Sequence, residues 1–245
     1  MKPYINRAAL SKSVYKSAGV SVLSYTVHAL KTTGIYFGKI FDKGTLVDEF
    51  KVVCSDACQS KQCNLNLADF QAQPLAERGG KVLEIAKDGY LIFYDSTGDK
   101  NYQVRLEKAG SSKKRKIQFD TKKLNAGDAY AVSLLRPGKY EGRNLLNKSD
   151  FQVKVLYPDN KLSKKLNTVI PPVNVEVTEE GFSPNAIELT PGQGLVFNVK
   201  TPSSLEISLK QATERKNEPK PDLKRDKRTK QIRKRIRWNN PKKAL

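Results

Sequence analysis

An all-β chain follows from three observations: an antiparallel Greek-key sandwich with a short second β segment and basic, irregular or helical termini. Short runs rich in Val, Ile, Tyr and Phe recur along the body, turns bearing Gly, Asp and Pro separate them, and positive charge collects at both ends. Regular short strands with such punctuation mark a sandwich or barrel rather than a helical or α/β fold.

In chain order, strands are expected at 35–41, 46–54, 81–85, 90–94, 102–107, 116–119, 130–135 and 151–157. The breaks between them include Lys87-Asp88-Gly89, Ser96-Thr97-Gly98-Asp99, Ala126-Gly127-Asp128 and Arg136-Pro137-Gly138, which are turn chemistry. Gln152-Val153-Lys154-Val155 alternates by twos, so one face is buried and the other wet. A polar, basic stretch and the stiff Ile170-Pro171-Pro172 then lead to further strands at 173–177, 195–199 and 204–209. The expected organisation is a basic N-terminal arm or helix at 1–31, a sandwich domain at 32–158 and a linker at 159–172. A second β segment at 173–209 packs on that domain or on a partner, because so few strands cannot close a sandwich alone. A basic tail occupies 210–245.

The chain carries a formal charge of +20, and its distribution is uneven. Residues 1–41 hold six Lys or Arg and no acid, and residues 210–245 hold fifteen against four acids. Residues 42–209 are nearly balanced, with 24 basic and 21 acidic residues. Charge therefore sits where folding is least expected, as basic arms on a neutral core. The tail residues Lys224, Arg225, Lys227, Arg228, Lys230, Arg233, Lys234, Arg235 and Arg237 suit a polyanion, since phosphate neutralisation and counterion release need no fixed geometry. Trp238, the only tryptophan, lies among them, placed to stack on a base or to fill a partner's pocket. Within the body, Lys113, Lys114, Arg115 and Lys116 make a cationic hairpin tip that adds to this surface.

Enzyme chemistry finds little support. The single His28 has no nucleophile marked beside it, and Gly142 to Ser149 lacks the second glycine of a Walker-type phosphate loop. Cys54, Cys58 and Cys63 crowd one short window, which leaves free thiols, one local disulfide of unknown pairing, or a metal site open. Zinc normally takes four ligands from two short-spaced pairs, and no second pair exists. No metal or other cofactor is expected. No stretch reaches eighteen apolar residues, so no transmembrane helix is expected. The acid-free N-terminus reads as a packed arm, a transit peptide or a secretion signal.

Gly181-Phe182-Ser183-Pro184-Asn185 followed by Ile187 to Val199 resembles the opening half of a cupredoxin. Residues 126–157, with Leu135-Arg136-Pro137-Gly138-Lys139-Tyr140 and a closing Phe151 to Val155, resemble the closing half. The resemblance covers 126–157 and 173–209 and implies a β-sandwich. A blue-copper centre needs two His, one Cys and a weak axial ligand, and His28 lies outside the matching region. What the resemblance implies is thus a copper-free relative, without electron transfer.

The sequence points to a non-catalytic structural or interaction subunit of a ribonucleoprotein or virus particle. Its tail is expected to dock on nucleic acid or an acidic protein surface, and its body on other subunits, in an intracellular particle or virion, with organelle import as the alternative. Two further readings stand beside it: a copper-free cupredoxin-like binding module at an anionic membrane or cell surface, and an enzyme subunit whose site another chain completes.

Overall fold

Alternation of apolar and polar residues carries most of this chain into strands. In Asp150–Val155 the apolar Phe151, Val153 and Val155 are buried while Gln152 and Lys154 are exposed. A computed structural model describes residues 7–70, 80–98, 100–110, 115–157 and 170–213. Among these, helix is confined to one short segment, Arg7–Ser11, and a 3-10 turn, Leu67–Asp69.

The strands are β1 (Val14–Lys16), β2 (Ser24–Leu30), β3 (Gly34–Asp42), β4 (Thr45–Ser55), β5 (Gln62–Asn66), β6 (Lys81–Ala86), β7 (Gly89–Tyr94) and β8 (Tyr102–Ala109). They continue as β9 (Arg115–Asp120), β10 (Ala129–Ser133), β11 (Gly138–Asn144), β12 (Asp150–Val155), β13 (Val173–Thr178), β14 (Gly181–Ser183), β15 (Ala186–Leu189), β16 (Gly194–Val199) and β17 (Leu205–Ala212).

Three open sheets result. A seven-stranded sheet runs β14-β13-β16-β10-β2-β7-β5, and two five-stranded sheets run β1-β17-β11-β12-β15 and β6-β4-β3-β8-β9. They are mixed rather than antiparallel as expected, because β4–β6, β5–β7, β12–β15 and β13–β16 pair in parallel. In each case a connection long enough for a crossover separates the two strands. One row of the seven-stranded sheet, Leu65–Phe93–Thr26–Tyr130–Phe197–Val175, is in register and wholly buried on a single face. Both five-stranded sheets therefore cover that same face. Phe93 meets Phe50 and Phe119 on one side, and Phe197 meets Phe151 and Phe182 on the other. One continuous apolar core joins the two sandwich-like halves.

The halves repeat each other. Exchanging β2, β3, β4, β5, β6, β7 and β8 for β10, β11, β12, β13, β15, β16 and β17 converts the pairing of one half into that of the other. Hydrogen bonds follow the same rule. Leu205 N donates to Ser17 Oγ (2.9 Å) as Val104 N donates to Thr121 Oγ1 (3.2 Å). Val20 bridges Tyr102 as Leu124 bridges Ser203. Gly34-Ile35-Tyr36-Phe37-Gly38 and Gly138-Lys139-Tyr140-Glu141-Gly142 share the pattern G-x-Y-x-G, and each tyrosine hydroxyl donates to the carbonyl four residues back, of Thr32 (2.5 Å) and Arg136 (2.7 Å). Each second glycine lies under a cross-strand phenylalanine, Gly38 under Phe50 and Gly142 under Phe151, where a Cβ would come within 2.1 and 1.9 Å of the ring Cζ.

Thr26 and Tyr130, equivalent positions in the two halves, are direct partners in the antiparallel β2–β10 pair. A pseudo-two-fold axis thus passes through that pair, normal to the seven-stranded sheet. The halves also exchange their first strands. β1 completes the five-stranded sheet of the second half through β17, and β9 that of the first half through β8.

These pairings revise the sequence-based boundaries. Residues 14–16 and 24–30, expected as an arm or helix, are strands, and β2 lies inside the seven-stranded sheet. Residues 173–209 are an integral part of the second half rather than a separate segment. Lys210, placed in the tail, belongs to β17. The described residues, from Arg7 to Thr213, form one compact unit.

Candidate interaction surfaces

Each sheet has one face turned away from the core, and the three faces differ in charge. On β1-β17-β11-β12-β15 the outward side chains form the ion pairs Lys16–Glu206, Arg143–Asp150, Lys154–Glu188 and Lys210–Glu141. On β6-β4-β3-β8-β9 they form Lys39–Glu107 and Arg105–Asp120, with Arg115 3.9 Å from Glu107. The pairs on the first of these faces are exposed and contribute little stability, whereas Lys39–Glu107 and Arg105–Asp120 are partly buried.

The outward face of the seven-stranded sheet is different. From β16 across β10, β2 and β7 to β5 it carries no charged side chain. Its two full rows read Asn198–Ala129–Val27–Ile92–Asn64 and Val196–Ala131–Tyr25–Tyr94–Asn66, with Tyr90 beside Ala29 and Gln62 at one end and Ser133 beside Gly194 at the other. In a chain with 29% charged residues, an ordinary surface would put about four charges on fifteen such positions. Tyr25 and Tyr90 are 43% and 49% exposed. Charge returns at the margins, where Glu176 of β13 approaches Lys200 and where Asp69 accepts from Asn66 Nδ2 (2.8 Å).

The sequence-predicted basic residues are placed only in part. Lys113, Lys114 and the tail residues from Lys224 to Trp238 lie outside the described residues. Arg115 opens β9 with its guanidinium 3.8 Å from the Phe37 ring centroid and close to Glu107, so its charge is partly compensated. Lys116 is exposed and in register with Lys108, whose ammonium donates to Thr32 Oγ1 (2.8 Å).

His28, read as unremarkable in the sequence, has a defined partner. Its Nδ1 lies 2.6 Å from Asp128 Oδ1, both side chains are largely buried, and its ring packs 4.7 Å from that of Phe119. Asp128 also accepts from Asn125 N (2.7 Å), which fixes the β10 entry turn. The recess beside this pair is lined by Lys31, Thr32, Tyr36, Gln118 and Asn125. The hydroxyls that line it are those of Thr32 and Tyr36, which are hydrogen-bonded to each other (2.8 Å). The pair's equivalents in the other half, Val132 and Ser24, carry no such pair, and only the three-dimensional repeat singles His28 out.

The structure has Cys54 buried and Cys58 and Cys63 partly buried, each as a free thiol. Burial pushes the Cys54 and Cys63 thiols up, away from the reactive thiolate. Among the described residues, no three His, Cys, Asp or Glu side chains gather as a metal site, and no helix is long and apolar enough to cross a membrane. No protein-family model, curated protein or solved structure matches the chain.

Proposed function

We propose that this chain is a non-catalytic structural subunit of a larger assembly. Its body docks on protein neighbours through the outward face of the seven-stranded sheet, and its C-terminal tail binds nucleic acid or an acidic partner. The observation that carries the reading is the absence of charge on that one face, on a body whose other two sheet faces are laced with ion pairs. Uncharged, tyrosine-rich surface of this kind is what protein interfaces enrich and solvated surface avoids. The tail supports the second half of the reading through its composition.

The same reading takes the two sandwiches as Greek-key units, the second being a copper-free cupredoxin-like module. The stretches 126–157 and 173–209 that carry the likeness pair with each other through β10–β16, β11–β17 and β12–β15. The particle is a ribonucleoprotein or a virion.

Binding of a fluorescent single-stranded oligonucleotide and of a poly-glutamate chain, by the full chain and by a chain ending at Thr213, tests the tail. The full chain binds at low salt and the shortened one does not. Equal binding by both would remove the tail from the account.

A further inference from the structure

The uncharged face also constrains what sits on it. A partner that brings Lys, Arg, Asp or Glu onto this surface buries them unpaired, because no counter-charge is available from β16 to β5. The chain's own basic segments are poorly matched for the same reason, the tail above all with fifteen Lys or Arg. The fitting occupant is itself a flat, uncharged sheet face of similar size, and this chain presents one. Five strands at about 4.8 Å spacing and five residues at about 3.4 Å rise give a footprint of roughly 400 Å² in projection. Two such faces with their rim side chains bury on the order of 1,000 Å², the lower bound for a specific contact.

Symmetry adds a second constraint. The pseudo-two-fold axis through Thr26 and Tyr130 stands normal to the face and exchanges large for small, Tyr25 for Ala129, Val27 for Ala131, Tyr90 for Gly194 and Tyr94 for Asn198, so the bulky side chains lie on the β2–β7 flank and the small ones on β10–β16. A two-fold axis lying in the plane of the contact, along the β2–β10 seam, then sets the tyrosine flank of each copy on the small-residue flank of the other, an isologous contact in which the same patch is used by both partners. Small residues near the centre, Ala129, Ala131 and Val27, let two sheets approach to about 10 Å, with Tyr25, Tyr90 and Tyr94 closing the flank.

Resting on the docking-face reading above, we propose that the occupant is a second copy of this chain, packed face to face through the seven-stranded sheets as a two-fold dimer. Val27 lies on β2 beside that seam, so the two copies of its side chain come close together across the contact.

Sedimentation equilibrium of the full chain from about 1 to 100 µM tests this, since contacts near the lower size bound are of the weak class. The wild type is expected to be dimeric at the upper end. Val27→Lys and Val27→Glu each shift it to monomer by at least tenfold in Kd, and their equimolar mixture regains the dimer because opposite charges now meet. Circular dichroism of both variants matches the wild type, as Val27 points away from the core. A monomeric wild type throughout, or a dimer indifferent to both charges, overturns the proposal. The docking-face reading is judged separately, by whether Val27→Lys leaves the native assembly.

Discussion

Tyr25 on β2 and Tyr94 on β7 stand opposite each other with ring centroids 6.3 Å apart, and both point away from the core. Tyrosines paired on the outside of a sheet are costly to leave in water unless a partner covers them, since each carries a large apolar ring with only its hydroxyl satisfied by solvent. That pair anchors the account of this chain as an interaction subunit.

The glycine under each core phenylalanine makes a prediction about packing. Gly142→Ala should cost about 1–3 kcal/mol, because Phe151 is held between Phe182 (4.4 Å) and Phe197 (5.2 Å) and has no free direction to move. Gly38→Ala under Phe50 should cost a similar amount. Urea unfolding checks both. Adding Phe151→Leu to Gly142→Ala should recover part of the loss, a non-additivity expected of residues in contact.

Two buried tyrosines should respond oppositely to losing their hydroxyls. Tyr140 donates to Arg136 O at 2.7 Å, so Tyr140→Phe should destabilise by about 1 kcal/mol. The Tyr15 hydroxyl is buried without a hydrogen-bond partner among the described residues, so Tyr15→Phe should leave stability unchanged or raise it. Thermal melts of the two variants decide, and a larger loss at Tyr15 would mean that its hydroxyl is satisfied.

The cysteines predict a labelling pattern. Three thiols should titrate in denaturant without reductant, and in the native protein Cys54, 2% exposed and with its thiol pushed up by burial, should alkylate slowest. Mass spectrometry of iodoacetamide adducts at pH 7.5 reads this directly. One titratable thiol in place of three would show a disulfide.

Removing residues 214–245 should leave the melting temperature of the body nearly unchanged while abolishing polyanion binding, whereas a cut before Lys210 should destabilise it by removing the end of β17, including the Lys210–Glu141 pair. In the full chain, changing Arg233, Lys234, Arg235 and Arg237 to Gln should flatten the salt dependence of binding, and Trp238→Ala should weaken binding with little change in slope. Binding dominated by Trp238 and nearly independent of salt would point to a protein pocket instead.

Strands such as β4 and β12 were legible because their inward positions are apolar and their outward positions largely polar. β2 was not, because the pattern is inverted. Its inward positions include the buried Ser24 and Thr26 and the partly buried His28, while Tyr25, Val27 and Ala29 face outward. The inward polar groups serve the junction of the halves, where Ser24 Oγ bonds to Ser21 and His28 to Asp128. β11 hides because Gly138 and Gly142 stand where alternation expects bulk, the space at Gly142 being filled by Phe151. The repeat leaves short traces, G-x-Y-x-G, a later F-x-V in Phe50-Lys51-Val52 against Phe151-Gln152-Val153, and Leu91-Ile92-Phe93 against Leu195-Val196-Phe197. The uncharged face draws on five strands between Ser24 and Val199 that are scattered through the sequence, so only strand register reveals it.

The most direct test of the central claim is sedimentation of native material through a density gradient, followed by detection of this chain. The account predicts that the wild type travels in a particle far heavier than 27.5 kDa and that Val27→Lys, folded and equally abundant, moves to the light fractions. A wild type found only in the light fractions, or a Val27→Lys chain that stays with the particle, would contradict it.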